Sequence, residues 1–205
     1  MRMLITFCGF ALVLASLPVS ATVLGLNQIE TPDIQPPGVL AITYQAQNKA
    51  LGNSQQLQLE LGLSRRFEMA VFRGFEPGSI VVGAEYALVQ QKEFLLTVGT
   101  LGLQHRAKTQ PFIEGGYYHN SDFFFVAGVQ RQNSANLPVA GAAYQIAPVM
   151  RLQSDYVGGA NNYSTFGVAF TLTPTVTVNP AIYIANHRPH KTYGYGVVTW
   201  QVKVW

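Results

Sequence analysis

Charge is scarce in this chain: only 11% of its 205 residues are Asp, Glu, Lys or Arg, whereas soluble domains average about 25%. A water-facing exterior has too little charge to be built from, so something other than water is expected to cover much of the surface. Cysteine is scarcer still. The single copy, Cys8, lies within the apolar run 3–17, so the chain beyond that run has no disulfide framework and no cysteine metal site. Long hydrophobic stretches are also missing after residue 21, where nothing approaches the roughly 18 consecutive apolar residues of a membrane-spanning helix. A membrane reading must then use a closed β-barrel, the other structure that satisfies every backbone hydrogen bond in lipid.

The apolar run follows Met1-Arg2 and ends at Pro18-Val19-Ser20-Ala21. Val19 and Ala21 suit the small-residue positions before a signal-peptidase cut, so residues 1–21 read as a signal peptide. The remaining 184 residues make one domain and balance 12 basic against 10 acidic side chains. That balance carries no nucleic-acid footprint. Residues 22–37, with Pro32, Pro36 and Pro37, show no periodicity and read as an extended lead-in to a domain over 38–205.

Period-2 alternation dominates the rest. Leu57, Leu59, Leu61 and Leu63 oppose Gln56, Gln58, Glu60 and Gly62, a pattern that fits a strand and would scatter around a helix. It recurs with Ile80, Val82, Ala84, Tyr86 and Leu88 opposite Gly83 and Glu85, and with Met150, Leu152 and Tyr156 opposite Arg151, Gln153 and Asp155. It recurs again with Val176, Val178, Ile182 and Ile184 opposite Thr177, Asn179 and Tyr183. Turn residues between the runs predict strands over 38–47, 54–63, 67–75, 79–89, 94–103, 111–119, 123–132, 137–146, 149–157, 163–173, 175–185 and 193–204. That is an all-β, antiparallel barrel of about 12 strands, or ten if the poorly alternating segments 94–103 and 137–146 are not strands.

Links of one to four residues at 64–66, 90–93, 120–122, 147–148 and 174 alternate with longer ones at 48–53, 104–110, 133–136, 158–162 and 186–192; only 76–78 breaks the rule. Short turns on one side and longer loops on the other match a transmembrane barrel. Aromatics near strand ends, among them Phe67, Phe94 and Phe123 after short turns and Tyr44, Phe75, Tyr156, Tyr163 and Tyr193 beside longer loops, are placed to form two interfacial girdles.

Several segments carry a resemblance. They are Glu30-Thr31-Pro32 to Pro37-Gly38, Leu61-Gly62-Leu63-Ser64-Arg65-Arg66-Phe67-Glu68, Ala143-Tyr144-Gln145-Ile146-Ala147-Pro148, and Asp155-Tyr156 through Asn161-Asn162-Tyr163 to Leu172-Thr173-Pro174-Thr175. In these the chain resembles a loosely defined group of uncharacterised bacterial outer-membrane β-barrel proteins, small porin-like barrels. The resemblance implies an outer-membrane barrel, with outer-membrane lipid and the barrel-assembly machinery as partners. Its motifs encode hairpins rather than chemistry. One departure stands out: Trp205 is terminal, as is usual in such barrels, yet Trp200, Val202 and Val204 share the opposite parity. Either a bulge shifts the register or Trp205 lies beyond the membrane band.

No catalytic, cofactor or metal site is expected. His119-Asn120-Ser121 resembles the His-x-Ser pair of outer-membrane lipid A deacylases, but an aspartate, Asp122, stands where an asparagine normally follows, and a polar turn accounts for the residues. His187, Arg188, His190 and Lys191 crowd the last loop. Two histidines fall short of the three or four ligands of a metal site, which leaves a solvated loop or one that faces anionic headgroups.

The face opposite the apolar stripes is the remaining candidate, as a lumen lining of Glu60, Glu68, Glu85, Glu114, Arg151, Gln153, Asp155, Asn179, Tyr183 and Lys203. About eight strands are filled by side chains and about sixteen leave a channel, so twelve fall between. The leading expectation is porin-like passage of small solutes or ions. A non-conducting structural or surface-interaction barrel and an outer-membrane lipid-modifying enzyme are the alternatives. A secreted β-sandwich would turn the leucines inward instead.

Overall fold

The computed structural model describes residues 25–76, 78–105 and 108–205; the segment read as a signal peptide lies outside them. Twelve antiparallel strands close into one barrel. They are β1 (Val39–Gln47), β2 (Gln55–Ser64), β3 (Phe67–Phe75), β4 (Gly78–Gln90), β5 (Phe94–Leu101) and β6 (Gln110–Tyr118), followed by β7 (Phe123–Gln132), β8 (Ala135–Ala147), β9 (Met150–Val157), β10 (Tyr163–Thr173), β11 (Val176–Ala185) and β12 (Thr192–Lys203). Each strand pairs with its sequence neighbours, and β1 meets β12 from Val39↔Lys203 to Gln47↔Tyr195. Closure leaves no unpaired edge, which is the condition for a sheet in lipid. Both poorly alternating segments, β5 and β8, are full members, so the count is twelve and not ten.

The alternation resolves in one direction. Glu60 is 6% exposed on the inner face, which places Leu57, Leu59, Leu61 and Leu63 outside, with Leu59 standing between Ile42 and Val71 of the flanking strands. The same outer surface displays Met69, Ile80, Leu88, Ile113, Leu152, Phe166 and Ile182. An apolar exterior around a polar interior inverts a soluble sandwich and fits a barrel set in a bilayer.

Turn chemistry shapes the ends. Asn120 Oδ1 accepts the N–H groups of Asp122 and Phe123 (both 2.8 Å), and Ser64 Oγ accepts that of Arg66 (3.2 Å), so both short links are tied by their own polar side chains. On the opposite rim the link expected over 133–136 shrinks to Asn133-Ser134, both with positive φ (48° and 71°). Such a pair makes a two-residue hairpin turn whose twist matches the strands. Register shifts at Gly62/Ser64, Ala87/Val89, Gln145/Ala147 and Thr171/Thr173 all fall just before short turns. None interrupts β12. Trp205 therefore lies beyond the strand, 62% exposed at the short-turn rim and packed against Gly38.

An outer aromatic belt lines the short-turn end over β3 to β8. Phe67 faces Tyr86, Phe94 faces Tyr117, and Phe123 stacks on Tyr144 with ring centroids 4.3 Å apart. Two residues expected in the opposite girdle are elsewhere. Tyr163 and Tyr193 share the parity of the inner residues Thr165 and Val197, and they meet edge to face at 6.0 Å in the long-loop mouth.

Candidate functional site: the occupied lumen

The inner wall divides by chemistry. Over β2, β3, β4 and β6 it carries Glu60, Glu68, Glu85 and Glu114, each at most 8% exposed. Glu68 stands directly opposite Glu85 in the β3–β4 register, and Glu114 lies across from Thr97 of β5. Around the other side, β9–β11 present Arg151, Gln153, Asp155, Asn179 and Tyr183. Between them Phe124, Val126, Val139, Ala143 and Val157 form an apolar strip. Lys203 has inner parity but sits exposed at the rim. Arg73 and Arg131 point outward near the long-loop rim, so among the described strand residues Arg151 and Lys203 are the bases of the inner face.

The sequence reading missed what lies within. Residues 25–38 do not run beside the barrel: they lie within it, with a tip at Asn27–Gln28, and descend past Glu68 to the short-turn end, where they join β1. A tight turn makes the tip, with Leu26 N–H donating to Ile29 O (3.0 Å) and Gly25 N–H to Thr31 Oγ1 (3.1 Å). Leu26 and Ile29 pack into the apolar strip.

Asn27 is held on every side. Its backbone N–H and that of Gln28 both donate to Asp155 Oδ2 (2.6 and 3.1 Å). Its amide Nδ2 donates to Thr165 Oγ1 (2.9 Å), its Oδ1 accepts from Gln153 and Asn179 (3.0 and 3.1 Å), and its carbonyl accepts from the Tyr183 hydroxyl. Further down, the Tyr118 hydroxyl donates to the Asp33 carboxylate (2.9 Å) and Gln35 N–H donates to Glu68 Oε2 (2.6 Å).

Four wall positions lack side chains where this segment touches them. A Cβ at Gly62 would collide with Gln35 and Pro36, at Gly116 with Pro32, at Gly141 with Leu26 and at Gly167 with Asn27. Glycine there permits close approach of the lead-in, of its backbone at Gly62 and of its side chains at the other three. Those glycines, together with the neutral amides and apolar residues among the prolines of the lead-in, were the available signal for an inner segment.

The lead-in adds Glu30 and Asp33, so seven of the chain's ten acidic residues lie inside the barrel. Glu30 meets Glu60, Glu68 and Glu85 around a small cavity of about 20 Å³ that Ala70, Phe72 and Phe112 also line. Beside and above the tip, a recess of about 250 Å³ opens to solvent at the long-loop end, between Gln45, Gln47 and Gln58 on one side and Tyr183 and Tyr195 on the other. Such an interior can accept cations or uncharged polar solutes and repels anions.

The other sequence candidates make local contacts. Ser121 Oγ donates to Asp122 (3.1 Å), while the His119 ring lies against Tyr117 at 6.3 Å, so the two do not form a nucleophile–base pair. His187 and His190 each engage a backbone carbonyl, Ala160 O (2.8 Å) and Ala185 O (2.9 Å), through Nδ1. No group of three or more metal-ligating side chains occurs among the described residues.

No protein-family model matches the chain, and no curated protein matches its sequence. Among solved structures it is similar to the NanC porin, with a TM-score of 0.55 and 11% identity over 78% of this chain and 97% of that one. It is also similar to the KdgM porin solved in complex with disordered oligogalacturonate, with a TM-score of 0.55 and 11% identity over 79% and 98% of the two chains. At that identity the likeness is one of fold: nearly the whole length of each of these porins is matched by the twelve-stranded barrel described above.

Proposed function

We propose that this chain is an outer-membrane barrel of the porin type that admits small cations and uncharged solutes, with its own lead-in narrowing the conduit. The observation that carries the reading is the segregation of charge: seven of ten acidic residues lie inside and the apolar side chains lie outside. The belt then faces outer-membrane lipid, and insertion uses the barrel-assembly machinery. Oligogalacturonate, the polyanion present with the KdgM porin, is the wrong charge for this interior, because buried carboxylates repel an anion strongly where the dielectric is low.

Conductance of the refolded full chain in planar bilayers tests the proposal, with discrete cation-carrying steps expected. The lead-in also favours a second reading, a non-conducting structural barrel. Complete silence at all voltages, with the protein verifiably inserted, would establish that reading in place of the first.

A further inference from the structure

The recess above the lead-in tip has a construction that ion passage does not require. Its β1–β2 wall is a ladder of amides: Gln58 Nε2 donates to Gln45 Oε1 (2.8 Å), Gln45 Nε2 donates to Gln47 Oε1 (2.9 Å), and Gln47 Nε2 donates to Asn53 O (2.8 Å). The chain of bonds fixes the orientation of each amide while leaving part of its capacity unspent. A glutamine amide has two N–H donors and two acceptor lone pairs. Gln45 therefore keeps one of each, and Gln58 keeps one donor and both lone pairs. Deeper in the wall the hydroxyls of Thr43 and Thr199 bond to each other (2.9 Å), with one O–H left over.

The adjoining wall is aromatic. Tyr195 stands directly across the β1–β12 register from Gln47, its ring centroid 5.0 Å from that of Tyr183. The Tyr183 hydroxyl is spent on Asn27 O, which fixes that ring beside the recess. Glu30 and Glu60 close the floor.

Interleaved donors and acceptors beside a flat aromatic face match a solute whose every polar group both donates and accepts and whose ring presents C–H edges. A cation would use only the acceptors, and an anion would meet the floor carboxylates. Its volume of about 250 Å³ lies just under the lower end of the range of about 300–1,000 Å³ typical of small-molecule sites, and its open mouth lets a longer solute extend beyond it. We propose that this recess is a binding site for a neutral saccharide. The site rests on the porin reading for its access to outside solutes, yet its occupancy is measurable without any conductance.

The experiment is calorimetric titration of the refolded full chain in detergent with maltotriose, trigalacturonate and the glucosamine trimer, which are neutral, anionic and cationic at comparable size. Maltotriose is expected to bind with a Kd on the order of 1 mM or tighter, and trigalacturonate about tenfold more weakly or not at all. Gln45→Ala and Tyr195→Ala should each weaken maltotriose binding about tenfold. Gln130→Ala, on the inner face of β7 away from the recess, should leave it unchanged. Circular dichroism and heat-modifiable migration verify that each variant is folded.

No maltotriose binding by the folded wild-type protein overturns the proposal. So does binding of either charged trimer about tenfold tighter than maltotriose, or binding indifferent to both recess substitutions. A barrel that binds maltotriose but never conducts would refute the channel while preserving the site; one that conducts but does not bind would do the reverse.

Discussion

Asp155 and Asn27, 128 positions apart, are joined by a 2.6 Å hydrogen bond from the Asn27 backbone N–H to the Asp155 carboxylate. The same Oδ2 takes the N–H of Gln28 at 3.1 Å, and Thr165 donates to Oδ1. One luminal carboxylate thus receives two consecutive backbone donors at the tip of the lead-in. Those donors would otherwise be stranded in the barrel, where each unmet group costs about 1–3 kcal/mol.

Replacing that carboxylate tests how the segment is held. Asp155→Ala removes both hydrogen bonds that the lead-in tip makes to a charged acceptor, worth about 1.5–3 kcal/mol each, along with the one from Thr165. Amides of residues 26–29 should then exchange with deuterium at least tenfold faster while the strand amides stay protected. Unchanged protection at the tip would show that the apolar packing of Leu26 and Ile29 suffices alone.

The wall glycines make a paired prediction. A Cβ at Gly167 would strike Asn27, whereas one at Gly196 meets nothing within 4 Å. Gly167→Ala should destabilise the docked segment by about 1–3 kcal/mol, the usual cost of overpacking, and should expose it to protease from the short-turn side. Gly196→Ala should behave as wild type. Equal protease resistance in both variants would contradict the close approach.

The lipid-facing surface is tested by moving one charge across the sheet. A charge on the outer face at mid-bilayer costs about 2–4 kcal/mol, so Leu59→Arg should cut the yield of heat-modifiable barrel severalfold. Gln58→Arg, one residue away on the inner face, should assemble nearly normally. Equal assembly would mean that the Leu57–Leu63 stripe does not meet lipid.

How much of this was legible in the sequence depends on which residues have a period. Leu57 to Leu63 and Val176 to Ile184 alternate because one face meets lipid and the other does not, and that contrast is written residue by residue. Strand limits followed to within a few positions. The link at Asn133-Ser134 was read too long because paired positive φ values depend on backbone geometry that these residues permit but do not announce. Tyr163 and Tyr193 were assigned to the outer girdle from their nearness to strand ends, although parity with Thr165 and Val197 turns them into the mouth. The lead-in was opaque for a different reason. Asn27 makes no local pattern, and its partners Gln153, Asp155, Thr165, Asn179 and Tyr183 are more than a hundred residues away. What signalled it was an excess of luminal glycine, which has several meanings in a strand.

The measurement that bears most directly on the central claim is the reversal potential of the reconstituted barrel across a potassium chloride gradient. With Glu30, Glu60, Glu68 and Glu85 gathered around one cavity, wild-type protein should favour potassium over chloride. The double substitution Glu60→Gln with Glu85→Gln should move the potential toward anion preference without loss of assembly. A wild-type barrel that prefers chloride, or a selectivity unmoved by removing both carboxylates, would contradict the account.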